Sequence, residues 1–511
     1  MPRHAEVLAP EGSRFLMLGN VAIARGALEY GLGFASAYPG TPSTEILEAL
    51  STAAREYGGP IVEWSVNEKV AYEEAYAAAL AGVPSLAAMK HVGVNVAADP
   101  FFSSAYTGVR AAFIVVSADD PGMHSSQNEQ DNRWYGLHAY IPVVEPAGVQ
   151  EAREATIEAF RLSEKLKRPV MLRTTTRVSH TRAPVRVGRI NPDRLASRGR
   201  FEKNPDRLTL VPAHARRLRE ELLSSWEKIS EVFSESSLNS VEGPSDAEVL
   251  VVGVGIGYRY AAEALRLLGL KERVRLLKVQ TPVPPPARLL AREASDRDAI
   301  VVVEEGDPVF ENLIKQTLYD EGIRAKIIGK GSGHIPRSGE LGLHEASAAI
   351  AAANGASYEP PEPAEAKLKP PPRPPALCPG CPYRSVFYAL RRALGRMRAR
   401  PVYSGDIGCY SLAVLPPFRM QDTLVEMGGS VGLGGGFSRV LENLVVATIG
   451  DSTFFHSGLP GLANAVYNRI PLLLLVLDNM TTAMTGHQPH PGVGLRADGS
   501  RGMRLAPENV A

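Results

Sequence analysis

The residues most able to do chemistry gather near the end of the chain. Val445-Val446-Ala447-Thr448-Ile449 reads as a buried strand and runs into Gly450-Asp451-Ser452. A helical pattern follows, then an apolar run over 472–477 that ends in Asp478-Asn479. Asp451 and Asn479 lie 28 residues apart, the span of one β-α-β crossover. That spacing predicts both at the C-terminal ends of neighbouring parallel strands, the edge at which open α/β sheets bind ligands. One carboxylate and one amide oxygen suit a hard cation such as Mg2+, which takes one or two protein carboxylates and fills its shell with phosphate oxygens. Glycine before the acid lets a diphosphate approach the backbone. Taken singly, the Asp would be a helix cap and the Asn a turn residue; the paired spacing is what points to a cation.

Other constellations lie elsewhere. Cys378-Pro379-Gly380-Cys381 and Cys409 place all three cysteines within 32 residues. A Cys-x-x-Cys pair with a third thiol can take Zn2+, act in redox chemistry or hold an iron–sulfur cluster. Glu68 opens an alanine-rich helical pattern over 67–81, directly after an apolar run at 60–64; an acid there is ordinarily a partner of the helix macrodipole. His456, in Phe454-Phe455-His456-Ser457-Gly458, follows Asp451 by about one turn, and packing as a hydrogen-bonded core histidine competes with a catalytic role. Gly253-Val254-Gly255-Ile256-Gly257 lacks the Gly-x-Gly-x-x-Gly spacing and the acid that closes a dinucleotide site, so it reads as a tight strand-to-helix turn.

Positioning these groups takes several domains, and 511 residues suffice for about three or four. The chain is 44% hydrophobic and 22% charged with a formal net charge of +1, against a nucleic-acid partner. No apolar run approaches the roughly 20 residues of a membrane span, the N-terminus has no signal-peptide core, and three cysteines cannot form a disulfide framework; a reducing cytoplasm is expected. Short buried runs alternate with helical patterns, which predicts parallel sheets covered on both faces. The expected organisation is a first α/β domain over 1–188, a linker with one helix near 214–233 over 189–245, a second α/β domain over 246–356, a stiff proline-rich connector over 357–376, and a third α/β domain over 377–511 that looks unfinished.

Tyr38-Pro39-Gly40-Thr41-Pro42-Ser43, Asn67-Glu68, Lys90-His91-Val92-Gly93 and Gly450-Asp451-Ser452…Asp478-Asn479 occur in the order in which the thiamine-diphosphate-dependent 2-oxoacid:ferredoxin oxidoreductases carry their motifs, and the chain resembles that family over nearly its whole length. Ser452 and Asp478 depart from the usual Gly-Asp-Gly…Asn-Asn pattern. The resemblance implies an α/β multidomain fold in which PYR-like and PP-like thiamine-diphosphate-binding domains flank a transketolase-C-like domain. To the latter belong Pro282-Val283-Pro284 and Val303-Glu304-Glu305-Gly306-Asp307. It further implies that Glu68 activates the cofactor to its ylide, that Thr41 touches the substrate carboxylate, and that Asp451, Asn479 and the Thr481 carbonyl hold Mg2+. Gly428 and Gly429, in Glu426-Met427-Gly428-Gly429-Ser430, cup the cofactor together with Gly450 and Ser452, and His456 could face the thiazolium. In related enzymes the cysteine pattern with a fourth, distant Cys holds a [4Fe–4S] cluster; Cys378, Cys381 and Cys409 supply three.

The first and third domains share one chain, and with Thr482-Ala483-Met484-Thr485-Gly486-His487-Gln488-Pro489 that order resembles the indolepyruvate α subunits. The resemblance implies oxidative decarboxylation of arylpyruvates to aryl-acetyl-CoA, with coenzyme A as co-substrate, electron transport to ferredoxin, and a smaller β subunit as heterodimer partner. That α subunit normally continues into a ferredoxin-like tail, so a C-terminally truncated chain is expected. A non-oxidative thiamine decarboxylase or carboligase, and a non-catalytic truncated subunit, are the alternatives.

Overall fold

Long apolar runs become fully buried strands. Ser85–Lys90, Phe113–Asp119 and Val170–Thr175 are buried at every position, as expected for strands covered on both faces. In the computed structural model, which describes residues 3–195, 198–362, 368 and 370–511, they form the centre of a six-stranded first sheet. Its order is Ile61–Trp64, Phe34–Ala37, Ser85–Lys90, Phe113–Asp119, Val170–Thr175, Val143–Val144, parallel in each pairing from Phe34–Ala37 onward. Arg14–Leu18 runs into the helix Gly19–Tyr30. It stays outside the parallel sheet, however, pairing antiparallel with Arg182–Arg186.

The middle sheet has five strands in the order Lys326–Ile328, Ala299–Val303, Val249–Val254, Arg275–Val279, Ser240–Glu242. Four are parallel; Ser240–Glu242, from the stretch read as linker, adds an antiparallel edge. The expected linker helix is Pro212–Ser234, and its Leu222 lies in one buried cluster with Met171 of the first sheet and Val283, Val309 and Leu313 of the middle segment. Residues Met1–Glu63 and Glu68–Pro361 accordingly form one compact unit. Of the proline-rich connector over 357–376, residues 363–367 and 369 lie outside the described residues, and 371–378 form neither helix nor strand.

The second unit, Trp64–Asn67 with Glu362–Ala511, is built on a third sheet of three parallel strands, Val402–Ser404, Val445–Gly450 and Leu473–Leu477. The helix Gly429–Val440 packs on it, and glycines at 434 and 435 keep the helix close to Leu472, Ala447 and Ile470. Among the described residues no helix is long and apolar enough to cross a membrane.

Candidate active site

The third sheet brings Asp451 and Asn479 to one edge. Val445–Gly450 and Leu473–Leu477 pair in parallel with Gly450 opposite Leu477, so Asp451 leaves one strand end and Asn479 the next. Asp451 is buried and begins a helix, where a negative charge is favoured by the helix N-terminus. Its Oδ1 accepts the Ser452 N–H at 2.9 Å and its Oδ2 the Met480 N–H at 2.8 Å. The imidazole of His490 stands 3.0 Å from Oδ2. Burial pushes the Asp451 carboxyl up, but these contacts, His490 foremost, outweigh it and hold it below the ordinary range. Asp478 shares the Met480 N–H at 2.8 Å; partial burial and then Asp451 push its carboxyl up. The Asn479 Oδ1 accepts the Thr481 N–H at 3.3 Å, and the Thr482 hydroxyl donates to Ser452 Oγ at 3.0 Å.

A third acid, unnoticed in the sequence, lies at the end of the first strand of this sheet. Asp406 is fully buried and accepts N–H groups from Ile407, Gly428 and Ser430 at 2.8, 2.7 and 3.0 Å. Burial pushes it up to about 6 against those three donors. It thereby fixes the backbone of Gly428 and Gly429 at the start of the helix Gly429–Val440. Gly428 needs to be glycine: its φ is +83°, and a Cβ would lie 2.4 Å from that of Ser457. After Asp451–Thr453 the helix widens into one π turn, Phe454–Gly458, a local irregularity frequent at functional sites. His456 lies on that turn, buried, with Nδ1 2.5 Å from Ser457 Oγ.

In the first unit, Glu68 is buried at the start of the helix Glu68–Leu80. It packs over Gly93, where any Cβ would come within 2.6 Å of the Glu68 Cγ. The sequence-recognised Lys90-His91-Val92-Gly93 thus makes room for the acid. Thr41 lies in a loop closed by the Ser43 N–H and hydroxyl, both bonded to the Gly40 carbonyl. The Thr41 carbonyl accepts the Ser125 hydroxyl at 3.3 Å, and Lys90 Nζ donates to the Ser125 carbonyl at 2.6 Å. Burial pulls the Lys90 ammonium down to about 8, with Asp120 resisting.

Two family descriptions match these regions: "Pyruvate flavodoxin/ferredoxin oxidoreductase, thiamine diP-bdg" over residues 25–220 and "Thiamine pyrophosphate enzyme, C-terminal TPP binding domain" over 406–511. The indolepyruvate oxidoreductase subunit IorA of Archaeoglobus fulgidus is 46% identical over 509 residues, covering 98% of this chain and 80% of its own. That of Thermococcus kodakarensis is 46% identical over 524 residues at the same coverages. This chain belongs to the indolepyruvate oxidoreductase IorA family. Among solved structures, a 2-oxoglutarate:ferredoxin oxidoreductase from Magnetococcus marinus shares the fold, with a TM-score of 0.51 at 18% identity, covering 63% of this chain and 62% of the other.

Within this IorA-family chain the cysteines are neighbours without forming a ligand cage. Cys381 and Cys409 pack half-buried on one apolar cluster with Tyr383 and Tyr410, while Cys378 is exposed. Burial pushes the Cys409 thiol up, with Cys381 and Cys378 adding to the shift. Among the described residues no three His, Cys, Asp or Glu side chains are grouped to hold a metal ion. Three thiols without a fourth ligand do not fit a [4Fe–4S] cluster.

The glycine turn of the middle sheet is occupied. Gly255 has φ +51° and caps the helix Ile256–Leu267, but the place of its missing Cβ lies 2.3 Å from Glu145 Oε1. Around it, two fully buried guanidiniums meet four buried carboxylates. Arg173 pairs with Asp119 and Glu145 at 2.9 and 2.7 Å, Arg133 with Asp131 and Glu304 at 2.5 and 2.8 Å, and the Arg133 Nη2 also donates to the Glu305 carbonyl at 2.9 Å. The turn is therefore structural, as its spacing suggests.

Proposed function

We propose that this chain is the catalytic subunit of a thiamine-diphosphate-dependent oxidoreductase that converts an arylpyruvate, indolepyruvate above all, to the aryl-acetyl-CoA and CO2. Two electrons leave for ferredoxin, coenzyme A is co-substrate, and a smaller β subunit completes the enzyme in the cytoplasm. The observation that carries this reading is the edge at Gly450↔Leu477, where a buried, ionised Asp451 and the amide of Asn479 leave adjacent strands. This donor set fits a hard cation: Asp451, Asp478 and Asp406 make no ion pair with Lys or Arg among the described residues, and Asp451 has the imidazole of His490 beside it in place of a fixed cation. Mg2+ would supply the counter-charge, and the oxygens of a diphosphate would fill the rest of its coordination shell.

In this reading Asp451, Asn479 and the Thr481 carbonyl hold Mg2+. Gly428, Gly429, Gly450 and Ser452 leave the backbone close to the diphosphate, and Asp406 keeps that backbone in place. Bound thiamine diphosphate supplies the nucleophilic carbon and the electron sink that decarboxylation of a 2-oxoacid needs. Glu68, buried against Gly93, exchanges a proton with the aminopyrimidine; His456 serves proton transfer near the reacting carbon; Thr41 orients the substrate carboxylate, in a loop braced through Ser125 by Lys90.

The test is anaerobic viologen reduction by the assembled enzyme with indolepyruvate, coenzyme A, Mg2+ and thiamine diphosphate. Turnover should fall by about 100-fold or more in Glu68→Gln, the scale of a lost acid–base group, and vanish in Asp451→Ala. Release of CO2 and aldehyde without viologen reduction would replace this reading with a non-oxidative decarboxylase. Undiminished turnover in Asp451→Ala would refute the assigned metal site.

A further inference from the structure

The helix Pro382–Met397 carries a charge that its own packing does not use. Its inner face is Tyr383, Phe387, Leu390 and Leu394, spaced by three or four and packed in one apolar cluster with Tyr410 and Leu477. On the exposed side Arg384, Tyr388, Arg392 and Arg396 follow one another at intervals of four, a single row on the helix surface. Arg391 lies beside them, tied to the Pro417 and Phe418 carbonyls, and Arg398 and Arg400 carry the charge past the helix end. From Pro370 to Gly405 there is no Asp or Glu. None of these six arginines makes an ion pair among the described residues. The exposed Asp422, near Tyr403 as Arg391 is, accepts the Tyr403 N–H instead. Between the charges, Met397 and Tyr388 are 68% and 57% exposed.

A helix face that only meets water mixes the two signs of charge. Pro212–Ser234 does so, with Arg217 paired to Glu221 one turn on. Pro382–Met397 exposes Arg, Tyr and Met without any Lys, Asp or Glu, which is the composition of a protein interface. Permanent subunit interfaces are mainly apolar, whereas brief electron-transfer encounters are small and steered by charge. The helix also starts beside the edge that carries Asp451 and Asn479. Tyr383, in its first turn, meets Tyr410 edge-on with ring centres 5.8 Å apart, and its hydroxyl lies 3.5 Å from the carbonyl of Leu477, the residue before Asp478. At 16 residues the helix is about 24 Å long, so its arginines stay within that distance of the first turn. We propose that the exposed arginine face of this helix is the docking surface for the electron carrier of the reaction, a small protein with an acidic face. The proposal rests on the oxidoreductase reading above. No bond forms or breaks at the patch; the carrier accepts there the electrons released in oxidation of the 2-oxoacid and leaves reduced.

The experiment uses the assembled enzyme with indolepyruvate, coenzyme A, Mg2+ and thiamine diphosphate, and two acceptors: an acidic two-[4Fe–4S] ferredoxin and methyl viologen. Wild type is compared with Arg392→Glu/Arg396→Glu and Arg392→Lys/Arg396→Lys. At low salt the Glu variant should lose about 10- to 100-fold in kcat/KM for ferredoxin, a range that charge steering supplies. Its viologen turnover should stay within about twofold of wild type, and the Lys variant should match wild type with both acceptors. Added salt should slow ferredoxin reduction by the wild type and narrow its lead over the Glu variant. Unchanged ferredoxin reduction in the Glu variant overturns the proposal. Equal loss with both acceptors, there and in the single variant Arg384→Glu, would give the face a structural role and overturn it too. Loss of the smaller subunit from the purified complex would make that subunit the occupant, against the proposal. A wild type that reduces neither acceptor overturns the oxidoreductase reading itself.

Discussion

At the C-terminal edge of the middle sheet, Gly255 and Gly306 hold φ values of +51° and +93°, and the room each leaves is taken by Glu145 in one case and by Asp131 and Arg173 in the other. At the edge of the third sheet, Gly428 and Gly450 likewise have no room for a side chain, their space being taken by Ser457 and by the ring of Tyr410. Glycine and close packing therefore do not distinguish the two edges; charge does. The middle edge carries its own cations, Arg133 and Arg173, buried among its carboxylates. The third edge has Asp406, Asp451 and Asp478, served by backbone N–H groups and the imidazole of His490. A strand-to-helix turn marks a ligand site where the protein leaves a charge for the ligand to balance.

The largest effect should come from breaking the balance where it is internal. Arg173→Met removes the partner of Asp119 and Glu145 inside the first unit. Leaving buried carboxylates unpaired costs about 3–5 kcal/mol, or a fall in Tm on the order of 10 °C for a unit of this size. Thermal unfolding of the purified chain, or its loss to inclusion bodies, reads this out. A Tm within a degree or two of wild type would mean that the cluster admits water and that the pairing of Arg173 is not what stabilises it.

The next effect belongs to the open edge. Mg2+ with thiamine diphosphate at about 100 times the dissociation constant should stabilise the second unit by about 2.7 kcal/mol, and Asp451→Ala should abolish the shift, read against the variant's own cofactor-free melting curve. NAD and NADP should give no shift in either unit, because Arg133 and Arg173 at the middle edge are already paired with its own carboxylates and leave no charge for a diphosphate. Stabilisation by a dinucleotide would erase the contrast between the edges.

Much of this contrast was legible in the sequence, and what was not has a physical reason. Val249–Val254 and Val445–Gly450 announce themselves by uninterrupted apolar runs, and the interval from Asp451 to Asn479 is set by one crossover, so the position of both follows from counting. The family motifs led to Glu68 and Gly93. The partner of a strand is another matter: Arg14–Leu18 has the pattern of any short strand, and nothing local tells that it pairs with Arg182–Arg186. Ser240–Glu242, three residues in a polar stretch, is a strand only because Arg275–Val279 offers it an edge. Arg133 meets Glu304 across 171 positions and His490 meets Asp451 across 39; such pairings depend on how loops return over a sheet edge. Asp406 stands in no motif read from the sequence, and its role rests on amides at 428 and 430.

A smaller effect is expected at Asp406. Asp406→Ala leaves the N–H groups of Gly428 and Ser430 without their acceptor, at about 1–3 kcal/mol for each one that water does not reach. Asp406→Asn keeps one oxygen acceptor and should recover part of the loss. The check is hydrogen exchange at 428–430, which should accelerate in Asp406→Ala, together with weaker binding of thiamine diphosphate. Unaltered exchange would mean that the helix Gly429–Val440 holds its own start.

The smallest effect separates strain from occupancy at the middle edge. Gly255→Ala forces an L residue to φ +51°, at about 1–2 kcal/mol, and also pushes a methyl group against Glu145. The first cost is local to the backbone; the second exists only while Glu145 fills the space. In a double-mutant cycle with Glu145→Ala, the cost of Gly255→Ala should therefore shrink by about 0.5–1 kcal/mol, read as the difference between the two denaturation free energies. An equal cost in both backgrounds would assign the whole penalty to backbone conformation. The middle edge would then be closed by its ion pairs alone.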